Sequence, residues 1–252
     1  MIVFIRFSLS ILLFINAGLV YSQINLDWKS KGRYFESLIQ KHLYEENYEI
    51  SLKYLDSTIT LYKSNDLKLY YITIQNKAFV LEEKFLNFNQ AILLADSAYD
   101  YWTSVGDFNN KANISKYLGY VFSCMGEFKL SKQYIDTAYY YFKLVGNENG
   151  VLVTKFDEAL LYFNMKDFNK SLNLLNEVKS LWLSEEDYQR VFFTNIKIIQ
   201  NYQICKPKNS DEICHLLQEN KALLESKRAI NNNEFSKLLS EIDGKYGCVT
   251  AK

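Results

Sequence analysis

Apolar and small residues recur along this chain at helical spacing, and the pattern itself recurs every forty residues. Tyr48, Phe88, Phe128 and Phe168 fall in one column of that repeat. Ser51, Ala91, Ser131 and Ser171 stand three positions later, then Leu55, Ala95, Ile135 and Leu175, then Thr58, Ala98, Ala138 and Val178. The spacing i, i+3, i+7, i+10 marks one stripe of a helix with 3.6 residues per turn. Small residues at i+3 and i+10 let a neighbouring helix approach, and the large residue at i fills the gap between three helices.

A second helix precedes each stripe. In ISKYLGYVFSCM, Ile114, Leu118, Val121, Phe122 and Met125 share a face. Gly119 removes a side chain where two helices cross, at a propensity cost of about 1 kcal/mol. Its column reads Ile39, Phe79, Gly119, Ala159. Gly126 suits a tight turn inside the pair, while Gly106 and Gly146 suit looser turns between pairs. Each unit is therefore helix, turn, helix, turn, and the chain is expected to be all-α: about five stacked hairpins. The stripe Phe235, Leu238, Leu239 and Ile242 then predicts a C-terminal helix with one buried face, the form a cap requires.

The segment YLGYVFSCMGEFKLSKQYIDTA resembles a tetratricopeptide repeat: Leu118-Gly119, Phe122, Gly126, Phe128, Ser131 and Ala138 match that motif's spacing. The resemblance covers about residues 31–205 and is fullest in the third unit. The forty-residue period is similar to the longer variant of kinesin light chains and of the sensory regions of many bacterial regulators. It implies an α-solenoid whose first helices line a concave groove that holds protein or peptide ligands. Carrying over the groove positions gives Asn76 and Lys77 in the second unit. It gives Asn113, Lys116, Tyr117 and Tyr120 in the third, and Phe156, Asp157, Leu160 and Asn164 in the fourth. Ordinary wetted helix faces are the alternative for these residues. A clamp for a terminal carboxylate is not expected, because Tyr117 and Asp157 stand where it would need Asn.

Three organisational segments follow. Residues 1–22 form an apolar leader with Arg6 near its start and Val20 and Ser22 at the −3 and −1 positions of a cleavage site. An uncleaved anchor is the alternative; the apolar run is short for a span, which favours cleavage and export. Residues 23–205 hold the repeat array. Residues 206–252 hold an irregular last hairpin, displaced by Pro207, and the cap. No later stretch is apolar enough to predict a membrane span.

Composition changes this picture little. Twenty-nine basic and 29 acidic residues balance, so no global charge draws the chain toward nucleic acid or an anionic membrane. Twenty Tyr and 17 Phe supply the bulk that sheetless helical packing needs. No catalytic constellation, metal-ligand spacing or nucleotide fingerprint is present in the sequence, so the expectation is a non-enzyme with no cofactor and no metal. His42 shares a column with Phe122, Tyr162 and Tyr202, which favours packing over ligation. Glu82-Glu83 and Glu185-Glu186 look like solvated helix faces or helix starts.

Four cysteines remain. In an exported protein Cys205 and Cys214, flanking the one proline-containing loop, are a possible disulfide; a core thiol at Cys205 is the alternative. Cys124 and Cys248 have no evident mates. The triplets DST, DSA and DTA place Ser57, Ser97 and Thr137 in a column resembling a bacterial O-glycosylation acceptor. Plain helix packing is the favoured alternative for that column, since a repeat multiplies any accident. A periplasmic sensory module, its membrane and output parts carried elsewhere, is the alternative to a ligand-binding scaffold. An enzyme with an unrecognised site is the third and weakest.

Overall fold

The computed structural model describes residues 27–206, 210–226 and 233–248. The leader and Pro207 lie outside the described residues. Within them the chain forms eleven helices and no strand. The fold is all-α, built from consecutive helical hairpins. The chain divides into two units after Thr73, and each is described separately.

The first unit contains α1 (Trp28–Tyr44) and α2 (Tyr48–Lys63), and α3 (Leu67–Phe85) begins in it. Asp27 caps α1 by accepting from the backbone amides of Lys29 and Ser30, satisfying donors that the first turn leaves open. Gly32 packs against the Tyr62 ring so closely that a Cβ would collide with it. The Tyr62 hydroxyl donates to Glu36 at 2.7 Å. His42 is half-buried and stacks on Tyr54 at 5.7 Å, so it packs as its column predicted.

The second unit holds the rest of α3, then α4 (Phe88–Ser104), α5 (Phe108–Cys124), α6 (Phe128–Leu144), α7 (Glu148–Asn164) and α8 (Phe168–Ser184). It ends with α9 (Tyr188–Cys205), α10 (Ser210–Glu225) and α11 (Asn233–Tyr246). Asn87, Asp107, Asn147, Asp167 and Asp187 cap α4, α5, α7, α8 and α9, each accepting from the amide three residues on. Gly106, Gly126 and Gly146 adopt positive φ in the turns, as expected. Glu46, Leu86, Lys166 and Glu186 do so without being glycine.

The three inner columns of the stripe are buried throughout α2, α4, α6 and α8. The leading column is not: Tyr48, Phe88, Phe128 and Phe168 are only half-buried, because each opens its helix at the rim of the hairpin. The bulk that fills the core sits fourteen residues later, at Tyr62, Trp102, Phe142 and Trp182, all at most 2% exposed. At Gly119 a Cβ would lie 2.8 Å from Ile135 Cγ1 and 3.3 Å from the Ser131 carbonyl oxygen, too close to fit without movement. The Ser131 hydroxyl donates to the Gly119 carbonyl at 2.7 Å across the same crossing.

The column of Gly119 is corrected in α3. The residue buried there is Ala78, not Phe79. Helix α2 has 16 residues where α4 and α6 have 17, and α3 has 19 where α5 and α7 have 17. Asn87 donates to Leu81, six residues back, where Glu127 donates to Phe122, five back. The surplus residue of α3 is thus taken up in its last turn, and everything before that turn is shifted by one.

The cysteine expectation is also corrected. Cys214 is bonded to Cys248, with Cα atoms 5.0 Å apart, and Cys205 is free. The eight residues between Cys205 and Cys214 carry the chain from the end of α9 into α10, and Cys214, one turn inside α10, bonds to the segment that follows α11. Cys205 instead packs on the apolar core, the thiol alternative. The bond holds α11 onto α10, where Leu239 and Ile242 are buried and Leu238 half-buried, as a cap requires. Phe235 is outside the described side chains.

Candidate functional site

The ten carried-over residues all lie in the second unit, on α3, α5 and α7, the first helices of its hairpins. Helices α5 and α7 pack on each other directly, which sets their carried-over residues side by side. They do not share a role.

Phe156 leaves the set. It is 6% exposed and packs on Trp182 with ring centroids 5.5 Å apart, so it belongs to the core. Leu160 is half-buried against the same core. The Tyr117 hydroxyl donates to the Ala78 carbonyl at 2.9 Å, tying α5 to α3. Burial holds that phenol well above its ordinary range. Lys77 and Asn76 stand one position off their intended columns because of the shift in α3. In the corrected register Asn76, Tyr117, Asp157 and Lys197 are equivalent.

The remainder come together. Lys116 Nζ lies 3.6 Å from Asp157 Oδ2, joining α5 to α7. Burial pushes the Asp157 carboxyl up, and Lys116 opposes that shift. The Asn164 amide donates to the Ser123 hydroxyl at 2.9 Å. Asn76, Asn113, Tyr120 and Asn164 are exposed on this face.

Three participants were missed. Glu82 was expected in water, yet it is 4% exposed, and burial, reinforced by Glu83, pushes its carboxyl up to about 7. A charged residue in the column of Phe122 was the available signal. Burial lowers the ammonium of Lys197 on α9, with Cys124 opposing. Lys197 donates to Gln200 at 3.2 Å and has no carboxylate partner among the described residues. Desolvation pushes the Cys124 thiol up, so it stays protonated at neutral pH and is a poor nucleophile. Among the described residues no group of three or more His, Cys, Asp or Glu is placed to hold a metal ion. The face offers amides, an ion pair, a phenol and a lysine: hydrogen bonding and stacking groups of the kind that hold peptides.

The glycosylation triplets sit mid-helix. The Ser57 and Thr137 hydroxyls donate to their own helices' carbonyls, at Lys53 and Gln133, and Ser97 is exposed on α4.

No family model matches the sequence, and no curated protein does. Solved structures do. A kinesin light chain-like protein of Podosopora anserina with nearly identical TPR-like repeats shares 10% identity at a TM-score of 0.60, over 81% of this chain and 100% of that one. BtubC from P. vanneervenii shares 12% at 0.63, over 82% and 84%. A signal transduction ATPase with a tetratricopeptide repeat sensor, from Pyrococcus horikoshii, shares 18% at 0.62, over 80% of this chain and 31% of that one. The fold is that of TPR-like repeat proteins.

Proposed function

We propose that the chain is an exported, non-catalytic repeat scaffold that holds a protein or peptide against the first-helix face of its second unit. The observation that carries the reading is the set Asn113, Tyr120, Asn164 and the Lys116–Asp157 pair on two helices that pack side by side. An extended peptide there meets donors, acceptors and an aromatic ring within one stretch. The leader at residues 1–22 supports export, to the periplasm or beyond. The sensor in the Pyrococcus horikoshii neighbour favours a second reading, in which a bound ligand is reported to a signalling partner.

The test is capture of envelope proteins by the full chain and by Asn113→Ala/Tyr120→Ala. Both side chains are exposed, so the variant keeps its melting temperature while losing at least tenfold in affinity for a partner captured by the wild type. Equal capture by both proteins refutes the face. An unprocessed chain retained in the cytoplasm refutes export. Detergent-free recovery of the whole chain from the membrane, with the leader attached, points to an anchor instead.

A further inference from the structure

Helix α3 carries an acid where its neighbour α5 carries a hydroxyl. In the corrected register Glu82 stands in the place of Ser123, and Ser123 accepts a hydrogen bond from Asn164 on α7. The counterpart of Asn164 on α5 is Cys124, which feels the Glu82 charge but brings no amide to it. Glu82 is 4% exposed, and among the described residues no ion pair or hydrogen bond reaches its carboxyl. The nearby lysines are engaged elsewhere: Lys84 pairs with Glu83 at 3.0 Å, and Lys116 with Asp157. An unpaired carboxylate in that position costs stability. A serine would serve the helix crossing better, as it does in the next hairpin.

The surroundings of this carboxyl are aromatic. Phe79 and Tyr120 occupy one column of α3 and α5 in the corrected register, and the Tyr117 ring lies 6.4 Å from Phe79. Burial raises the Tyr117 and Tyr120 phenols, and the charge of Glu82 raises them further, so both stand close to it. Tyr120 is 38% exposed, which opens the group onto the first-helix face. A carboxyl among rings suits a cation: the ring faces attract it through their quadrupoles, and the carboxylate through its charge.

We propose that the ligand held on this face presents a cationic group, a lysine or arginine side chain or a free amino end, to Glu82 among Phe79, Tyr117 and Tyr120. The inference rests on the reading of this face as a ligand-binding surface and adds the chemistry at its α3 end. Glu82 must be ionised to hold the cation, so binding tightens as pH rises through about 7. The groups around it do not titrate in that window. Tyr117, Tyr120 and Cys124 are pushed up and stay protonated, and Glu83 and Asp157 keep their lysines.

The probe is a positional-scanning library of decapeptides, one form blocked at both ends and one with a free amine, titrated against the full chain. The bound pool is expected to fix Lys or Arg at one position; a pool that instead requires the free amine supports the amino end as the source. Affinity for the selected peptide should rise about tenfold from pH 6 to pH 8. Glu82→Gln should abolish that rise and lose about tenfold at pH 8, with its melting temperature there kept or raised. Tyr120→Leu should weaken binding severalfold. Replacing the peptide's cation by norleucine should weaken binding to the wild type and leave Glu82→Gln unaffected. Selected peptides without a cation, or a cation whose loss weakens both proteins equally, overturn the inference. The face itself then still stands if Asn113→Ala/Tyr120→Ala abolishes their binding. No bound peptide at all, or equal binding by that variant and the wild type, overturns the face and the inference with it.

Discussion

The third hairpin and the last one meet the same requirement, two helices held at one crossing, by different means. Helices α5 and α6 meet through absence: Gly119 has no side chain, and Ser131 and Ala138 are small and fully buried. In α9 the place of Gly119 is taken by Ile199, also fully buried. Close approach is lost there, and α10 is registered by a polar ladder instead. The buried Asn195 amide donates to Asn220 at 2.9 Å, and Asn220 donates to the Phe192 carbonyl at 3.1 Å. A disulfide and the Lys221–Asp243 ion pair then add α11. Where the repeat is regular, close approach with one hydroxyl–carbonyl bond holds the crossing; where it ends, an amide ladder and a covalent link take over.

That contrast can be broken at its strongest point first. Gly119→Leu forces a branched side chain into backbone and Ile135, and is expected to cost about 3–5 kcal/mol, read by urea denaturation. If it costs less than 1 kcal/mol, the crossing is not shape-limited. Cys248→Ser opens a closed loop whose cysteines are 34 residues apart and is expected to cost about 3–4 kcal/mol in the chain-entropy model. Hydrogen exchange should show α11 opening before α5 and α6; uniform loosening would deny that the bond acts locally.

Asn220→Ala strands the Asn195 amide and the Phe192 carbonyl in the core, at about 2 kcal/mol. Asn195→Ala/Asn220→Ala should be less than additive, since the pair acts as one unit. The smallest effect is titratable. Glu82 binds its proton more tightly folded than unfolded, so its contribution to stability falls as pH rises from about 4.5 to about 7. Glu82→Gln should flatten that fall, adding on the order of 2 kcal/mol at pH 8 and little at pH 4, checked by urea midpoints at the two pH values.

Much of this was legible beforehand. The columns through Ser131, Ile135 and Ala138 show the hairpins because helical period and repeat period reinforce each other there. Lys116 and Asp157 were placed on first helices by carrying over groove positions, and their ion pair was not legible. Other features were not. Phe156 looked available because an aromatic on a first helix is spelled the same whether it meets a ligand or Trp182. Asn76 and Lys77 were misplaced because 39 residues separate Asp27 from Asp66 and 41 separate Asp66 from Asp107, so the two departures cancel in any forty-residue alignment. Cys205 and Cys214 are near in sequence, but pairing depends on which way a helix face turns, and α10 presents Cys214 to α11.

The short α2 and the long α3 have a consequence of their own. A lost residue and a gained one, some twenty positions apart, leave every later hairpin in phase. Only in the helix between the two changes is each position filled by the residue one earlier than a forty-residue alignment gives, so the residues that face outward there are different ones. Such paired length changes would let a repeat protein re-aim one helix's outward side chains while its neighbours keep their bearings, a route to new surface chemistry that substitution alone does not provide.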